Sequence, residues 1–274
     1  MIYSHAMNAA SRRRRTLPAV LTIAVLVALV AVALGVWRPW SSTSSTAQVA
    51  GAGSAESVRI APAPLVLPEH PSVLVFGDSW TYGSAASEPT LGYAYVLAEL
   101  LDGATTVNGV RGSGYLKPGL DGPAFGERIA ALDPALAPDL VIIQGSINDR
   151  EQGDAGYREA VNSAWDAMSA IYPEAQIVIL GPAPHILPVG AGTTRIDADL
   201  AALAAERGWW YISPIAESWI TPANYLDVID VDFGRRHPST DGHRYLAERL
   251  AADLVEMGAA PVTVAGGSES TSNQ

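Results

Sequence analysis

The chain contains the stretch Ser72-Val-Leu-Val-Phe76-Gly77-Asp78-Ser79, a short apolar run that ends in a glycine and two polar residues. An uninterrupted apolar run of this length, bounded by turn residues, is typical of a buried strand. The glycine indicates a tight turn directly after it. We therefore predict a buried strand here, with Ser79 just beyond its carboxyl end.

Similar runs recur outward from this stretch and alternate with helical patterns. The further predicted strands are 105–108, 140–143, 176–180 and, from a weaker pattern, 209–212. The predicted helices are 92–101, 125–132, 155–171, 194–207 and 240–257. Such alternation indicates a parallel sheet with helices on both faces. We predict an α/β fold, a flavodoxin-like doubly wound sandwich with a central sheet of about five strands.

Ligands of such sheets bind beyond the carboxyl ends of the strands, so the residues after each strand are the candidates for chemistry. Three segments qualify there: Gly77–Gly83, Asn108–Gly114 and Gln144–Asp149. A serine at a glycine-led turn exposes its hydroxyl, whereas glycine N–H groups and an asparagine side chain can hold an oxyanion. A late loop, Asp230 to His243, adds His237, which Pro238 holds outside the following helix.

These four segments together resemble the conserved blocks of the SGNH, or GDSL-type, hydrolase family, in the family's order. The resemblance covers about residues 72–254. It implies that Ser79 is the nucleophile and His237 the general base. It also implies an oxyanion hole formed by the N–H groups of Ser79 and Gly112 and by the side chain of Asn148.

The sequence departs from the family pattern at two positions. Ser146 stands where the third block usually has glycine, and Gly234 stands three residues before His237, where the family has aspartate. Asp232 is the best substitute if the loop bulges, and Asp230 and Asp241 are weaker candidates. The alternative is a Ser–His dyad in which a backbone carbonyl orients the imidazole.

The N-terminal part carries a separate signal. Arg12 to Arg15 precede an apolar run over residues 17–37, long enough to cross a hydrocarbon core of about 30 Å. We predict a cytoplasmic basic segment (1–16), a single transmembrane signal anchor (17–37), a flexible linker (38–70), the hydrolase-like domain (71–258) outside the cytoplasm, and a loose tail (259–274). The alternative is a cleaved signal peptide, which would make the protein secreted.

Composition excludes several function classes. The formal charge is −11, and the five arginines of residues 1–40 occur without an acid, which leaves 12 basic against 28 acidic residues in the rest of the chain, net −16. Such a surface repels nucleic acid. The chain has no cysteine, so thiolate metal sites and cysteine nucleophiles are excluded. Asp241 and His243 could bind a metal with His237, but no third carboxylate at ligand spacing supports this, so we predict no cofactor and no metal. We interpret His243 as structural, in a charged pair with Asp241 at the start of a helix.

The function expected from these residues is that of a serine esterase acting on short-chain acyl esters, O-acetyl carbohydrates included. Aromatic residues in the predicted loops favour stacking on sugars and packing under loops equally; they are Trp80, Tyr82, Tyr115, Trp219 and Tyr225. Two alternatives stay open: an attenuated member of the fold that binds envelope glycans without turnover, and an O-acyltransferase.

Overall fold

The computed structural model describes residues 61–259. The strands are β1 Ser72–Gly77, β2 Ala104–Gly109, β3 Leu140–Gln144, β4 Gln176–Leu180, β5 Trp210–Ile212, β6 Ile229–Asp230 and β7 His237–Pro238. The helices are α1 Ser79–Tyr82, α2 Tyr93–Leu100, α3 Phe125–Ala130, α4 Tyr157–Ile171, α5 Ala191–Arg207, α6 Tyr225–Val228 and α7 Thr240–Ala259. All the predicted strands and helices are present, and their ends differ from prediction by at most three residues.

Five strands form one parallel sheet in the order β2-β1-β3-β4-β5. In register, Val73 lies between Thr105 of β2 and Leu140 of β3. This strand order is that of flavodoxin-like doubly wound sheets, which confirms the predicted fold class. Because the order reverses between β1 and β3, their carboxyl ends border the crevice where such folds bind ligands.

The period of two along each strand sends alternate residues to opposite faces of the sheet, and each face has its own core. Val73 and Val75 pack on the face covered by α2 and α7. Leu74 and Phe76 pack on the face covered by α3, α4 and α5. The strand that precedes Ser79 is therefore buried on both sides, which fixes its carboxyl end firmly.

The folded part begins earlier than the predicted boundary at residue 71. Leu65 is 6% exposed and belongs to the core, and its N–H donates to the carbonyl of Met257 at 3.1 Å. Trp210 Nε1 donates to the carbonyl of Ala63 at 2.8 Å. The prediction of a flexible linker up to residue 70 is thus wrong for its last residues, because an apolar side chain in the Ala- and Pro-rich segment is buried against α7.

The predicted anchor 17–37 and the predicted tail beyond residue 259 lie outside the described residues. Within residues 61–259, no helix is both long and apolar enough to span a membrane.

Candidate active site

Ser79 is the first residue of α1, directly after the turn that ends β1. The Asp78 carboxylate caps this helix and accepts the Trp80 N–H at 2.9 Å. A Cβ at Gly77 would lie 2.3 Å from Thr81 Oγ1 and 2.6 Å from a Gln144 oxygen, so only glycine lets the strand turn so closely under the helix. Gly77, Asp78 and Ser79 thus have separate structural tasks: the close turn, the helix cap, and a hydroxyl that lies 2.8 Å from His237 Nε2.

The side chains of Ser79 and His237 meet, although 158 positions separate them in the chain. His237 Nε2 lies 2.8 Å from Ser79 Oγ, and Nδ1 lies 2.7 Å from the carbonyl oxygen of Gly234. A carbonyl only accepts, so Nδ1 must carry the ring proton, and Nε2 is left with the lone pair. The geometry therefore suits His237 to accept the Ser79 proton.

Burial lowers the pKa of His237 below the ordinary value of 6.5, although the hydrogen bond to the Gly234 carbonyl opposes this shift. At neutral pH the imidazole is consequently uncharged, the form that a general base requires.

The structure does not bring Asp232 to the histidine. Asp232 is exposed, and its N–H donates to Asp230 Oδ1 at 3.0 Å, within the loop between β6 and β7. The assignment of Asp232 as the third member is therefore corrected: the Gly234 carbonyl occupies the position on Nδ1. This is the arrangement of the dyad alternative.

The cause lies in the turn that precedes His237. The Gly234 carbonyl accepts the His237 N–H at 3.1 Å, while Arg235 and Arg236 have φ of 50° and 68°. Two consecutive positive φ values with this hydrogen bond make a type I′ turn, a conformation that arginine adopts at a cost in free energy. The turn brings the Gly234 carbonyl to Nδ1 at the edge of the imidazole ring and leaves Asp232 exposed on the loop.

The oxyanion candidates are joined to one another. Gly112 has φ of 75°, a left-handed conformation that favours glycine. The side chain of Asn148 donates to the carbonyl of the next residue, Ser113, at 2.9 Å and reaches Asp78 Oδ2 at 3.4 Å. The loop after β2 and the loop after β3 are therefore held together beside the turn that carries Ser79.

Two buried carboxylates support these loops. Burial raises the pKa of Asp78 to about 7, against the hydrogen bonds from Trp80 and Gln144 and the nearby charge of Arg128. Burial also raises the pKa of Asp149, which accepts the N–H of Tyr115 at 2.7 Å and the hydroxyl of Ser146. Ser146, the departure from the family's glycine, thus anchors the loop that carries Asn148.

Sequence reasoning missed Arg128. Its side chain is 6% exposed and donates to the carbonyls of Gly77 and Asn108 at the ends of β1 and β2. The signal in the sequence was an arginine on the same helical face as the apolar residues Phe125 and Ile129. A cationic side chain at such a position can be buried only where hydrogen-bond acceptors surround it.

The other histidines have distinct surroundings. His243 is fully buried; its Nδ1 accepts the Tyr93 N–H at 3.2 Å and its Nε2 donates to the Ser84 carbonyl at 3.0 Å. It therefore has a structural role, as predicted, but through these contacts and not as a charged pair with Asp241. His185 is half-buried near Arg150 and Arg236, and burial and these cations lower its pKa to about 4. Within the described residues, no three His, Asp or Glu side chains converge to hold a metal ion.

The loop aromatics divide by exposure. Trp80, Tyr115 and Trp219 are 1–5% exposed and pack under the loops, whereas Tyr82 is 38% exposed with the Arg111 guanidinium 5.3 Å from its ring. Packing is thus the role of the three buried residues, whereas the ring of Tyr82, the last residue of α1, is exposed.

Comparison with known proteins gives a consistent result. The model of the GDSL-like lipase/acylhydrolase family matches residues 75–245. A GDSL lipase of Mycobacterium tuberculosis is 29% identical over 192 residues, which cover 65% of this chain and 79% of that protein. A structure from Lactobacillus plantarum superposes with a TM-score of 0.56 at 23% identity, over 69% of this chain and 98% of the other. A two-domain esterase active on acetylated mannans superposes with a TM-score of 0.54 at 19% identity, over 73% and 52%.

Proposed function

Because the chain belongs to the GDSL-like lipase/acylhydrolase family, we propose that it is a serine esterase that hydrolyses short-chain acyl esters, O-acetyl groups on carbohydrates among them. The observation that carries the proposal is the hydrogen bond of 2.8 Å between Ser79 Oγ and His237 Nε2. A serine within reach of a neutral, oriented imidazole has the arrangement of an activated nucleophile.

In the first half of the proposed reaction, Ser79 Oγ attacks the ester carbonyl as His237 Nε2 takes its proton. The negative charge that develops on the carbonyl oxygen is held by the N–H groups of Ser79 and Gly112 and by Asn148 Nδ2. The C–O bond to the alcohol then breaks, and the alcohol leaves with the proton from His237.

In the second half, water attacks the acyl-enzyme and gives a proton to His237. The bond to Ser79 Oγ breaks, the carboxylic acid is released, and Ser79 regains its proton. Throughout the reaction the Gly234 carbonyl accepts a hydrogen bond from Nδ1–H, so it stabilises the imidazolium by a hydrogen bond and not by a full charge.

The short acyl group and the carbohydrate are the finer parts of the proposal. The structural neighbour described as active on acetylated mannans supports a sugar acetate as a candidate substrate class. The exposed ring of Tyr82 offers a surface for stacking on a sugar near Ser79.

The test is hydrolysis of aryl esters from acetyl to octanoyl, and release of acetate from acetylated mannan, by the full-length protein in mild detergent. Ser79→Ala should abolish turnover. The matched control is Ser84→Ala, because the Ser84 hydroxyl is buried and has no hydrogen-bond partner within residues 61–259. Equal turnover in wild type and in folded Ser79→Ala would reject the acyl-enzyme.

We also propose that residues 17–37 anchor the protein in the cell membrane, with the catalytic domain outside the cytoplasm. The basis is the apolar run of residues 17–37 behind Arg12 to Arg15. Fractionation of cells without detergent should leave the protein with the membranes, and protease added outside should degrade the domain. Recovery of a soluble form of reduced mass would replace the anchor with a cleaved signal.

A further inference from the structure

A single buried cation lies under the carboxyl ends of β1 and β2. Arg128 Nη1 donates to the Gly77 carbonyl and to Ser113 Oγ, each at 2.9 Å. Arg128 Nη2 donates to the backbone carbonyl and to the side-chain oxygen of Asn108, each at 2.5 Å. The planar guanidinium thus spans the ends of two strands and the oxyanion loop, which a point-like ammonium cannot do.

Each proposed oxyanion donor is close in sequence, or hydrogen-bonded, to a residue that accepts from Arg128. Gly77 lies two residues before Ser79, and its carbonyl also accepts the Val110 N–H at 3.2 Å. Ser113 directly follows Gly112. The Ser113 carbonyl in turn accepts the Asn148 side chain at 2.9 Å. The three segments that supply the donors therefore share Arg128 as a common support.

The charge of Arg128 is retained in this buried position. Burial lowers its pKa to about 10, and the nearby Asp78 opposes that shift, so the guanidinium stays protonated at neutral pH. The Cζ atom of Arg128 lies 4.3 Å from the centre of the Phe76 ring and 5.3 Å from the centre of the Phe125 ring. No carboxylate within residues 61–259 forms an ion pair with it at 4.0 Å or less.

We propose that Arg128 is a positioning residue that fixes the three oxyanion donors relative to one another. This inference rests on the proposed serine esterase function. Donors that are already aligned need no reorganisation when the negative charge develops, and this is the condition under which they accelerate the reaction. Because Arg128 acts through the donors, its loss should change the rate of the chemical step and leave substrate binding nearly unchanged.

The test compares Arg128→Met and Arg128→Lys with wild type in the full-length protein. We expect kcat for an aryl acetate to fall about 10²-fold in Arg128→Met, the scale of one lost oxyanion donor, with KM within about threefold. Arg128→Lys should recover little of this loss, because lysine keeps the charge but cannot reach all four acceptors. The second-order rate of inactivation by an aryl phosphonate, whose phosphoryl oxygen occupies the oxyanion hole, should fall in parallel.

The matched control is Arg207→Met. Arg207 also stacks on two aromatic rings, Trp165 and Trp209 at 5.5 Å each, and donates to an asparagine oxygen, Asn162 Oδ1 at 2.5 Å. Its partners are in α4 and beside β5, away from the loops of the site. Arg207→Met should lower stability and leave kcat unchanged.

A milder variant keeps the proposal falsifiable if Arg128→Met does not fold. Ser113→Ala removes one acceptor of Arg128 and should lower kcat about tenfold with KM unchanged. Its effect should be much smaller in an Arg128→Lys background, because the two changes break the same link. If wild type shows Ser79-dependent turnover, the esterase proposal stands. An unchanged kcat in folded Ser113→Ala or Arg128→Met would then overturn the inference about Arg128. Absence of that turnover in wild type would instead reject the esterase itself.

Discussion

His237 Nδ1 lies 2.7 Å from the carbonyl oxygen of Gly234, three residues earlier in the chain, so the imidazole is oriented by the backbone of its own loop. An orienting carboxylate can contribute orders of magnitude to the rate of a serine hydrolase. A carbonyl supplies the orientation and fixes the tautomer but not the full negative charge.

Asp232→Asn should leave kcat/KM for an aryl acetate within about twofold of wild type, because its side chain does not contact His237 and substitutions at exposed sites have small effects. His237→Ala, measured beside it, should abolish turnover above background. A loss of 10² or more in folded Asp232→Asn would mean that the loop rearranges to bring this carboxylate to the ring during catalysis.

Gly234→Asp, which restores the family's residue at this position, should not improve catalysis. A Cβ at this glycine would lie 2.6 Å from the Cβ of Ala85 and 2.6 Å from that of Asp230. The overpacking should lower the free energy of unfolding by about 1–3 kcal/mol and move His237 away from Ser79. Urea denaturation and kcat of the variant measure the two effects, with Asp232→Ala on the same loop as the control. A variant both stable and faster than wild type would contradict this account.

The pH profile of kcat/KM should have its acid limb below pH 6.5. In the proposed mechanism His237 must be neutral, and burial lowers its pKa, so the neutral form persists to lower pH than for an exposed histidine. The profile should be recorded with an aryl acetate, which does not itself titrate in this range. His185→Gln serves as the control for the neighbouring imidazole, whose pKa of about 4 places its titration lower still. A midpoint above 6.5 would show that another group governs the limb.

His243 should make the protein less stable as the pH falls. Burial lowers its pKa from 6.5 to about 4, so between these values the unfolded chain binds a proton that the folded chain does not. Stability therefore rises with pH across this window, and the contribution between pH 5 and pH 7 is about 2 kcal/mol. Urea denaturation at both pH values should show a larger loss in wild type than in His243→Gln. Equal losses would contradict a lowered pKa of His243, because the contributions of other groups, such as Asp78 with its opposite trend, are the same in both proteins.

Leu65→Ala should lower the free energy of unfolding by about 2–3 kcal/mol, since this side chain, in the segment before β1, is buried in the core that includes residues of α7. The neighbouring Val66 is 74% exposed, and Val66→Ala should change stability by less than about 0.5 kcal/mol. Denaturation of the two variants under the same conditions tests the placement of this segment. Equal, small effects would return residues 61–70 to the status of a linker.

The sheet was predictable because β1, β3 and β4 carry unbroken apolar runs that lead into turn residues, as at Phe76 and Gly77. The meeting of Ser79 with His237 followed from the family resemblance, which located both residues without geometry. The orientation of His237 was less accessible, because it depends on φ values of Arg235 and Arg236 that arginine rarely adopts. The residue types at positions 234–237 do not predict a turn with two positive φ values.

Arg128 and Leu65 were missed for a different reason. Each is a single residue whose burial depends on partners far away in the sequence, such as the Gly77 carbonyl for Arg128 and the Met257 carbonyl for the backbone of Leu65. The local sequence predicts a flexible linker around Leu65 and an ordinary amphipathic helix around Arg128. Long-range contacts of this kind override local propensity.

The contacts of Ala63 and Val66 place the segment before β1 at one edge of the sheet. Ala63 bonds to Trp210, the first residue of β5, and the Val66 N–H bonds to Gln176, the first residue of β4, at 2.8 Å. The polypeptide thus arrives at the amino edge of the sheet, whereas Ser79 stands at the carboxyl edge. A label attached in place of the exposed Val66 side chain would therefore sit at the amino edge of the sheet and leave the carboxyl edge, with Ser79 and His237, uncovered.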